Sequence, residues 1–174
     1  AAASSYPTGE PVVIATNHIV NTNGNLRKSS KVTLNGTGLL NLSNSVGHDL
    51  GTVTGTGTIK LSPSATGFYV FPAGFFSAFM APGGGTVELN SASGTSVFPY
   101  LTTYNNLVLS GAGIKKMIDA DITLNGTLTN QAASSFTASA VGKLILNSNW
   151  INDGNFSHNN GSVYFNGTSA ISGS

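Results

Sequence analysis

A short sequence cassette recurs along the chain and constrains the fold more than any other feature. Each copy has an apolar residue, a variable residue, a second apolar residue and then Asn or Ser, and the copies lie at 32–35, 59–62, 87–90, 107–110, 122–125, 144–147 and 163–166. Alternation with a period of two indicates β-strands that bury one face. We therefore predict a β-rich chain with almost no helix, with these third cassette residues buried: Leu34, Leu61, Leu89, Leu109, Leu124, Leu146 and Phe165.

The spacing of the cassettes predicts how the strands are arranged. Their starts are separated by 27, 28, 20, 15, 22 and 19 residues, which average about 22. A step of that size fits one rung of two or three short strands in a coil of stacked rungs. Asn-Gly-Thr follows three of the cassettes, and Asn and Gly both tolerate the left-handed backbone of a sharp corner. We expect bends, some with positive φ, at Gly36, Gly126 and Gly167.

Composition decides between the two β architectures that fit short strands and frequent turns. Charged residues are 7% of this chain, against about 25% in typical soluble domains, whereas a sandwich usually has charged outer faces. Stacked rungs place like residues above like residues, where charges repel and Asn and Thr can form hydrogen-bonded ladders. The sequence therefore predicts an all-β fold, a parallel β-solenoid with rungs of about 20–28 residues. The usual preference of parallel crossovers predicts a right-handed β-helix.

The domain organisation is predicted to be simple. Residues 1–174 are expected to form a single solenoid segment of a larger repetitive protein, because both ends resemble interior points of a longer chain. The segment 67–82 interrupts the pattern, since it is rich in Phe and carries no charge. Two interpretations remain open for it: an insertion packed over an open face of the coil, or an aromatic surface that binds a ligand.

Charge and cysteine content exclude several classes of function. The formal net charge is +1 with only seven Lys and Arg residues, so the chain lacks the basic clusters that neutralise nucleic-acid phosphates. Arg27, Lys28 and Lys31 form one loose basic group, which we interpret as a solvated corner. The absence of cysteine excludes disulfides, thiol catalysis and cysteine-based zinc sites. No apolar run approaches the roughly 20 residues that a membrane-spanning helix needs.

Asp119 and Asp121 are the only acidic residues close together in the sequence, and on a strand they would share a face. They could bind calcium or act as an acid–base pair. Calcium takes six to eight oxygen ligands, however, and neither an EF-hand loop nor a glycine-rich calcium repeat is present. We therefore favour a solvated edge.

Other residues with catalytic or binding chemistry are scattered. His18, His48 and His158 have no metal-site spacing and are expected at corners or on the surface, and His48-Asp49 has no accompanying GxSxG motif. Trp150 could stack on a sugar if exposed, but a tryptophan that fills the coil is favoured. The sequence thus predicts no catalytic, cofactor-binding or metal-binding residue.

Longer runs carry a family resemblance. FPAGFFSAFMAPGGGTVELN at 71–90, YNNLVLSGAGIKKMIDADITLNGTLT at 104–129 and NWINDGNFSHNNGSVYFNGTSAISGS at 149–174 resemble repeats of large adhesin-like surface proteins of Bacteroidota, which are typically exported by the type IX secretion system. The resemblance covers most of 32–174 and implies an extracellular or cell-surface location. It implies adjacent repeats, other surface proteins and the export machinery as partners. After the Gly-x-Gly corner, where the family tends to have Lys-Thr-Leu, this chain has Lys115-Lys116-Met117, which we interpret as a change at a surface position.

These observations favour a non-enzymatic structural or adhesive segment of a secreted or cell-surface bacterial protein. The alternative is a module that binds glycans or surfaces through aromatic, Asn and Thr side chains. An enzyme of the polysaccharide-lyase type is disfavoured, because six acidic and seven basic residues leave little for a catalytic cleft. Rows of Thr-x-Thr at 52–54 and 56–58 do not repeat in the register that ice binding requires.

Overall fold

The computed structural model describes residues 9–22, 28–43, 46–62, 67–166 and 169–173. These residues form short strands and a single four-residue helix. In chain order the first elements are β1 (Pro11–Ile14), β2 (Ile19–Asn21), β3 (Lys31–Leu34), β4 (Leu39–Ser43), β5 (Asp49–Gly55), β6 (Thr58–Leu61), β7 (Gly67–Phe68), β8 (Ala73–Phe75), α1 (Ser77–Met80), β9 (Thr86–Asn90) and β10 (Thr95–Val97). The remaining elements are β11 (Thr103–Tyr104), β12 (Asn106–Ser110), β13 (Ile114–Lys116), β14 (Ile122–Leu124), β15 (Leu128–Asn130), β16 (Ser135–Thr137), β17 (Lys143–Leu146), β18 (Trp150–Asn152), β19 (Asn155–Ser157), β20 (Ser162–Phe165) and β21 (Ile171–Ser172).

The strands stack into four parallel sheets, which we name A to D. Sheet A has the order β1-β3-β5-β8, sheet B has β2-β4-β6-β9-β12-β15-β18-β21, sheet C has β7-β10-β13-β16-β19 and sheet D has β11-β14-β17-β20. Strands of sheets A and D each precede a sheet B strand in the sequence, and strands of sheet C each follow one. The chain therefore winds around one axis, and the prediction of a parallel β-solenoid is confirmed.

Strand pairing shows a more regular rung than the cassette spacing does. Leu107 pairs with Leu128, and Leu128 pairs with Trp150, which are steps of 21 and 22 residues. The exception is the pairing of Ile59 with Val87, a step of 28 residues. The predicted rung length agrees with these register steps.

The cassettes mark buried strands on more than one face of the coil. The cassette at 32–35 lies on β3 in sheet A, the next three lie in sheet B, and the last three lie in sheet D. The short step from Leu107 to Ile122 therefore carries the chain from sheet B to the sheet D strand of the following rung. The same pattern recurs because each face of a closed coil must point alternate side chains inward.

Six of the seven predicted core residues are buried: Leu34, Leu61, Leu89, Leu109, Leu124 and Leu146. The prediction for Phe165 is wrong, since this side chain is 40% exposed. It lies on β20, the last strand of sheet D, so no further strand of that sheet covers it. Trp150 is buried and packs edge-to-face on Phe156 with ring centroids 4.7 Å apart, which confirms the favoured interpretation that it fills the coil.

The aromatic segment 67–82 is partly built into the coil. It supplies β7 to sheet C and β8 to sheet A. Between β8 and β9 the chain forms α1, whose Phe79 and Met80 are buried, and this detour falls within the 28-residue step. Phe75 is 75% exposed, so the segment also presents an apolar side chain at the surface. No helix in the described ranges is long and apolar enough to cross a membrane.

The predicted corner glycines have different outcomes. Gly36 lies in a turn with φ +51°, as expected. Gly126 lies at a bend, but its φ is outside the positive region, so the space it leaves matters more than its backbone freedom. A Cβ there would lie 2.2 Å from Oδ1 of Asn106, the atom that accepts a hydrogen bond from Thr127 N. Gly167 lies outside the described residues.

Candidate functional site

Both candidate acids are exposed and bonded to the adjacent rung. Asp119 Oδ1 accepts a hydrogen bond from Ser139 Oγ at 2.9 Å, and Asp121 Oδ1 accepts one from Lys143 N at 2.8 Å. Among the described residues, no group of three or more His, Asp or Glu side chains is arranged to hold a metal ion. The solvated-edge interpretation therefore describes where these carboxylates lie, and the structure adds that each one joins two rungs.

The three histidines lie on different rungs. His18 is exposed, and its Nδ1 lies 3.0 Å from Thr16 O. His158 is also exposed, and its Nδ1 accepts a hydrogen bond from Asn160 N at 3.1 Å. The expectation of a corner or surface position is wrong for His48, which is buried. Its backbone oxygen accepts from Ala73 N at 2.9 Å, so this residue lies at the junction of β5 with β8.

The basic group of the sequence is only partly described. Lys28 and Lys31 are exposed, and Arg27 lies outside the described residues. Lys28 forms an isolated parallel bridge with Asp49, and Lys31 pairs in register with Pro11 and Thr52. The two described lysines thus belong to the ordinary stacking of the first rungs.

The most developed concave surface lies on the outside of sheet C, and we call it the aromatic groove. Strand pairing places Phe68, Val97 and Lys116 in one row across β7, β10 and β13. The chain leaves β10 through Tyr100 and leaves β13 through Asp119, so both residues border this row. The groove encloses about 340 Å³ and is lined by Phe68, Val97, Tyr100, Lys116, Met117, Ile118, Asp119 and Ala120.

An exposed pair of aromatic rings forms one wall of the groove. Phe68 and Tyr100 stack with centroids 5.5 Å apart and planes inclined by 17°. Their side chains are 51% and 81% exposed, which is unusual for large apolar rings in a chain with a well-filled core. Lys116 and Asp119 bring an ammonium group and a carboxylate to the same groove. The site therefore combines a flat apolar surface with one donor group and one acceptor group.

Lys115, next to the groove, requires a correction. The interpretation of Lys115-Lys116-Met117 as a surface position holds only for Lys116, because Lys115 and Met117 are buried. The alternation of β13 points Lys115 into the coil, where its Nζ donates to Gly111 O and, at 2.9 Å, to Gly113 O. Burial lowers the pKa of this amine to about 8.

The sequence signals for the groove were incomplete. The aromatic ligand surface considered for 67–82 contains Phe68, but the stacking partner Tyr100 comes from outside that segment and was not singled out. The signal that could have drawn attention to Tyr100 is its position directly after Pro99, where a strand cannot easily continue. Their contact depends on the pairing of β7 with β10, which are 29 residues apart at Phe68 and Val97.

No protein-family model, curated protein or solved structure matches this chain. The fold and the groove geometry therefore carry the functional argument on their own.

Proposed function

We propose that this chain is a non-enzymatic structural and adhesive segment of a larger bacterial protein that is secreted or displayed at the cell surface. The observation that carries the proposal is the use of acidic side chains as links between rungs. Glu88 Oε1 accepts from Ser110 Oγ at 2.6 Å and lies 2.8 Å from Lys60 Nζ. Asp119 and Asp121 make the corresponding links to the rung that follows them. Carboxylates held in this way stabilise a stack of rungs.

Asparagine side chains support the structural part of the proposal. Asn147 Nδ2 donates to Asn125 Oδ1 at 3.3 Å, and Asn166 Nδ2 donates to Asn147 Oδ1 at 3.2 Å. A similar bond of 2.8 Å joins Asn41 to Asn21 at the other end of the coil. Such ladders hold exposed corners together without charge, which suits an extended shaft with a soluble surface. Adjacent repeats and other surface proteins are the partners that this role implies.

The aromatic groove supports the adhesive part. Exposed stacked rings beside polar groups are typical of surfaces that make contacts with other molecules. Together with the resemblance to Bacteroidota surface repeats, the groove favours attachment to proteins or glycans outside the cell. Export by the type IX machinery is part of the proposal on the basis of that resemblance.

The polysaccharide-lyase alternative can be tested directly. Purified chain is incubated with a panel of neutral and acidic polysaccharides, with and without calcium, while new reducing ends and unsaturated products are measured. We expect no turnover of any polymer. Turnover that disappears in Asp119→Asn or Asp121→Asn, but persists in the exposed control Asp153→Asn, would contradict the proposal and identify an enzyme.

A further inference from the structure

We propose that the aromatic groove binds a neutral sugar unit of a surface glycan, with the ring stacked on Tyr100 and its hydroxyl groups bonded to Lys116 and Asp119. This inference rests on the adhesive part of the proposed function and names its ligand class. Tyr100 is 81% exposed and contributes a ring to the groove without belonging to the core. A pyranose has an apolar face of C–H groups and a rim of hydroxyls, which is the combination that an aromatic ring beside polar side chains can recognise.

The size of the groove limits the ligand. Its volume of about 340 Å³ lies at the small end of the range found for ligand clefts, roughly 300–1,000 Å³. Buried Met117 and Ile118 form part of the floor, so one side of a bound ring would contact apolar atoms. The groove is therefore suited to a short stretch of glycan and not to a bulky cofactor.

The charges favour a neutral sugar over an acidic one. Lys116 and Asp119 contribute one positive and one negative charge, so the groove has no net charge to offset a uronate or sulfate. A bound anion would also approach the Asp119 carboxylate, which disfavours it. A sugar hydroxyl can both donate to a carboxylate and accept from an ammonium group, so a neutral sugar satisfies both side chains.

Asp119 is held in position by the adjacent rung before any ligand arrives. Ser139 Oγ donates to Asp119 Oδ1, and the same oxygen accepts from Val141 N at 3.1 Å and from Gly142 N at 2.9 Å. This chain of bonds fixes one carboxylate oxygen, and a carboxylate has a second that can accept from a ligand hydroxyl. Such fixed polar groups reduce the entropy lost on binding.

The test is an NMR titration of the ¹⁵N-labelled chain with three probes: chitotriose and cellotriose as neutral sugars, and trigalacturonate as an acidic one. We expect at least one neutral probe to shift the amide signals of Val97, Lys116 and Asp119, and trigalacturonate to leave them unchanged. Tyr100→Ala should weaken binding of that neutral probe about tenfold or more. Asp119→Asn keeps an acceptor oxygen and should weaken it less.

Two matched controls separate the groove from general exposure of aromatic rings. Tyr164 is 47% exposed and has Lys143 Nζ 5.4 Å from its ring centroid, but it lies on sheet D, and Phe75 is 75% exposed on sheet A. Tyr164→Ala and Phe75→Ala should bind the neutral probe as tightly as the unaltered chain. The thermal unfolding of every variant is measured alongside, so that loss of binding is not confused with loss of folding.

Three results would overturn the inference: no shift with either neutral probe, unchanged binding in Tyr100→Ala, or a preference for trigalacturonate that increases in Asp119→Asn. None of these would contradict the structural role, which the separate assay of polysaccharide turnover addresses. An enzyme would be recognised by product formation, whether or not the groove variants bind.

Discussion

A lysine side chain that points into a coil must find partners for its amine, and Lys115 finds them in the corner that precedes its own strand. Gly111 O and Gly113 O both accept from Nζ. A neutral amine still has two N–H groups, so both hydrogen bonds can persist after the proton is lost. Burial disfavours the charged form, and the pKa falls from 10.5 to about 8.

This shift predicts a stability that depends on pH. Between about pH 8 and pH 10.5 the amine is largely neutral in the folded chain and protonated in the unfolded chain, so the unfolded state binds more protons. Stability therefore rises with pH across that window, by up to about 1.4 kcal/mol per pH unit for this group. We expect the free energy of unfolding of the unaltered chain, relative to Lys115→Met, to increase by about 1–3 kcal/mol between pH 7.5 and pH 10.

The control for this measurement is the neighbouring exposed residue. Lys116→Met should preserve the rise with pH, because its amine is in water in both states. Burial also raises the pKa of the Tyr69 and Tyr104 phenols, which lowers stability above about pH 10, but both tyrosines are present in every variant and cancel in the difference. A difference between the unaltered chain and Lys115→Met that stays flat with pH would contradict the prediction.

At the scale of strands and corners, the asparagine ladder of sheet D links three successive rungs. Asn147 is its middle member, since it donates to Asn125 and accepts from Asn166. Each bond joins side chains 19 or 22 residues apart in sequence, so the ladder adds to the backbone pairing of β14, β17 and β20. The ladder closes the corners at which sheet D ends.

Asn147→Ala should lower the free energy of unfolding by about 1–2 kcal/mol, because two side-chain hydrogen bonds of about 0.5–1.5 kcal/mol each are lost at an exposed position. Urea unfolding followed by far-UV circular dichroism measures the change. Asn155→Ala is the matched control, since Asn155 is an exposed strand residue that contributes its backbone oxygen to the bond from Asn130. Equal effects of the two substitutions would show that the ladder contributes nothing of its own.

Strand type and the inward residues could be predicted from sequence, because alternation is a local property that burial imposes on each strand. The assignment of cassettes to sheets could not, since the same alternation serves sheets A, B and D. Phe165 shows the same limit: its pattern marks an inward position, but its burial depends on whether another strand covers it. Lys115 occupies an inward position by alternation too, and its charge made the surface interpretation the natural one.

The candidate site was less accessible to prediction than the fold. Phe68 and Tyr100 meet only because β7 and β10 pair in a particular register, and neither lies in a cassette. The 28-residue step between Ile59 and Val87 sets that register, and no local signal states which corner will accept the extra residues. Asp119 and Asp121 were recognisable as a close pair, but their bonds to Ser139 and Lys143 N depend on the following rung.

At the scale of the whole molecule, sheet B gives the coil its axis. Its eight strands run from β2 to β21, and adjacent parallel strands are about 4.8 Å apart. The register continues in one direction from Asn41 through Lys60, Glu88, Val108, Thr129 and Ile151 to Ser172. Distance along the axis therefore grows steadily with sequence position, as the proposed shaft requires.

The most direct test of this coil is a series of electron spin–spin distances along sheet B. The chain contains no cysteine, so pairs can be introduced for spin labelling without removing any native residue of that type. One label replaces Asn41, and the second replaces Thr129, Ile151 or Ser172, which are four, five and six pairing steps away. The stacked coil predicts distances of about 19, 24 and 29 Å, an increase of about 4.8 Å per step. Distances that fail to increase in this order, as hairpins folding back on each other would produce, would contradict the parallel coil and the structural role built on it.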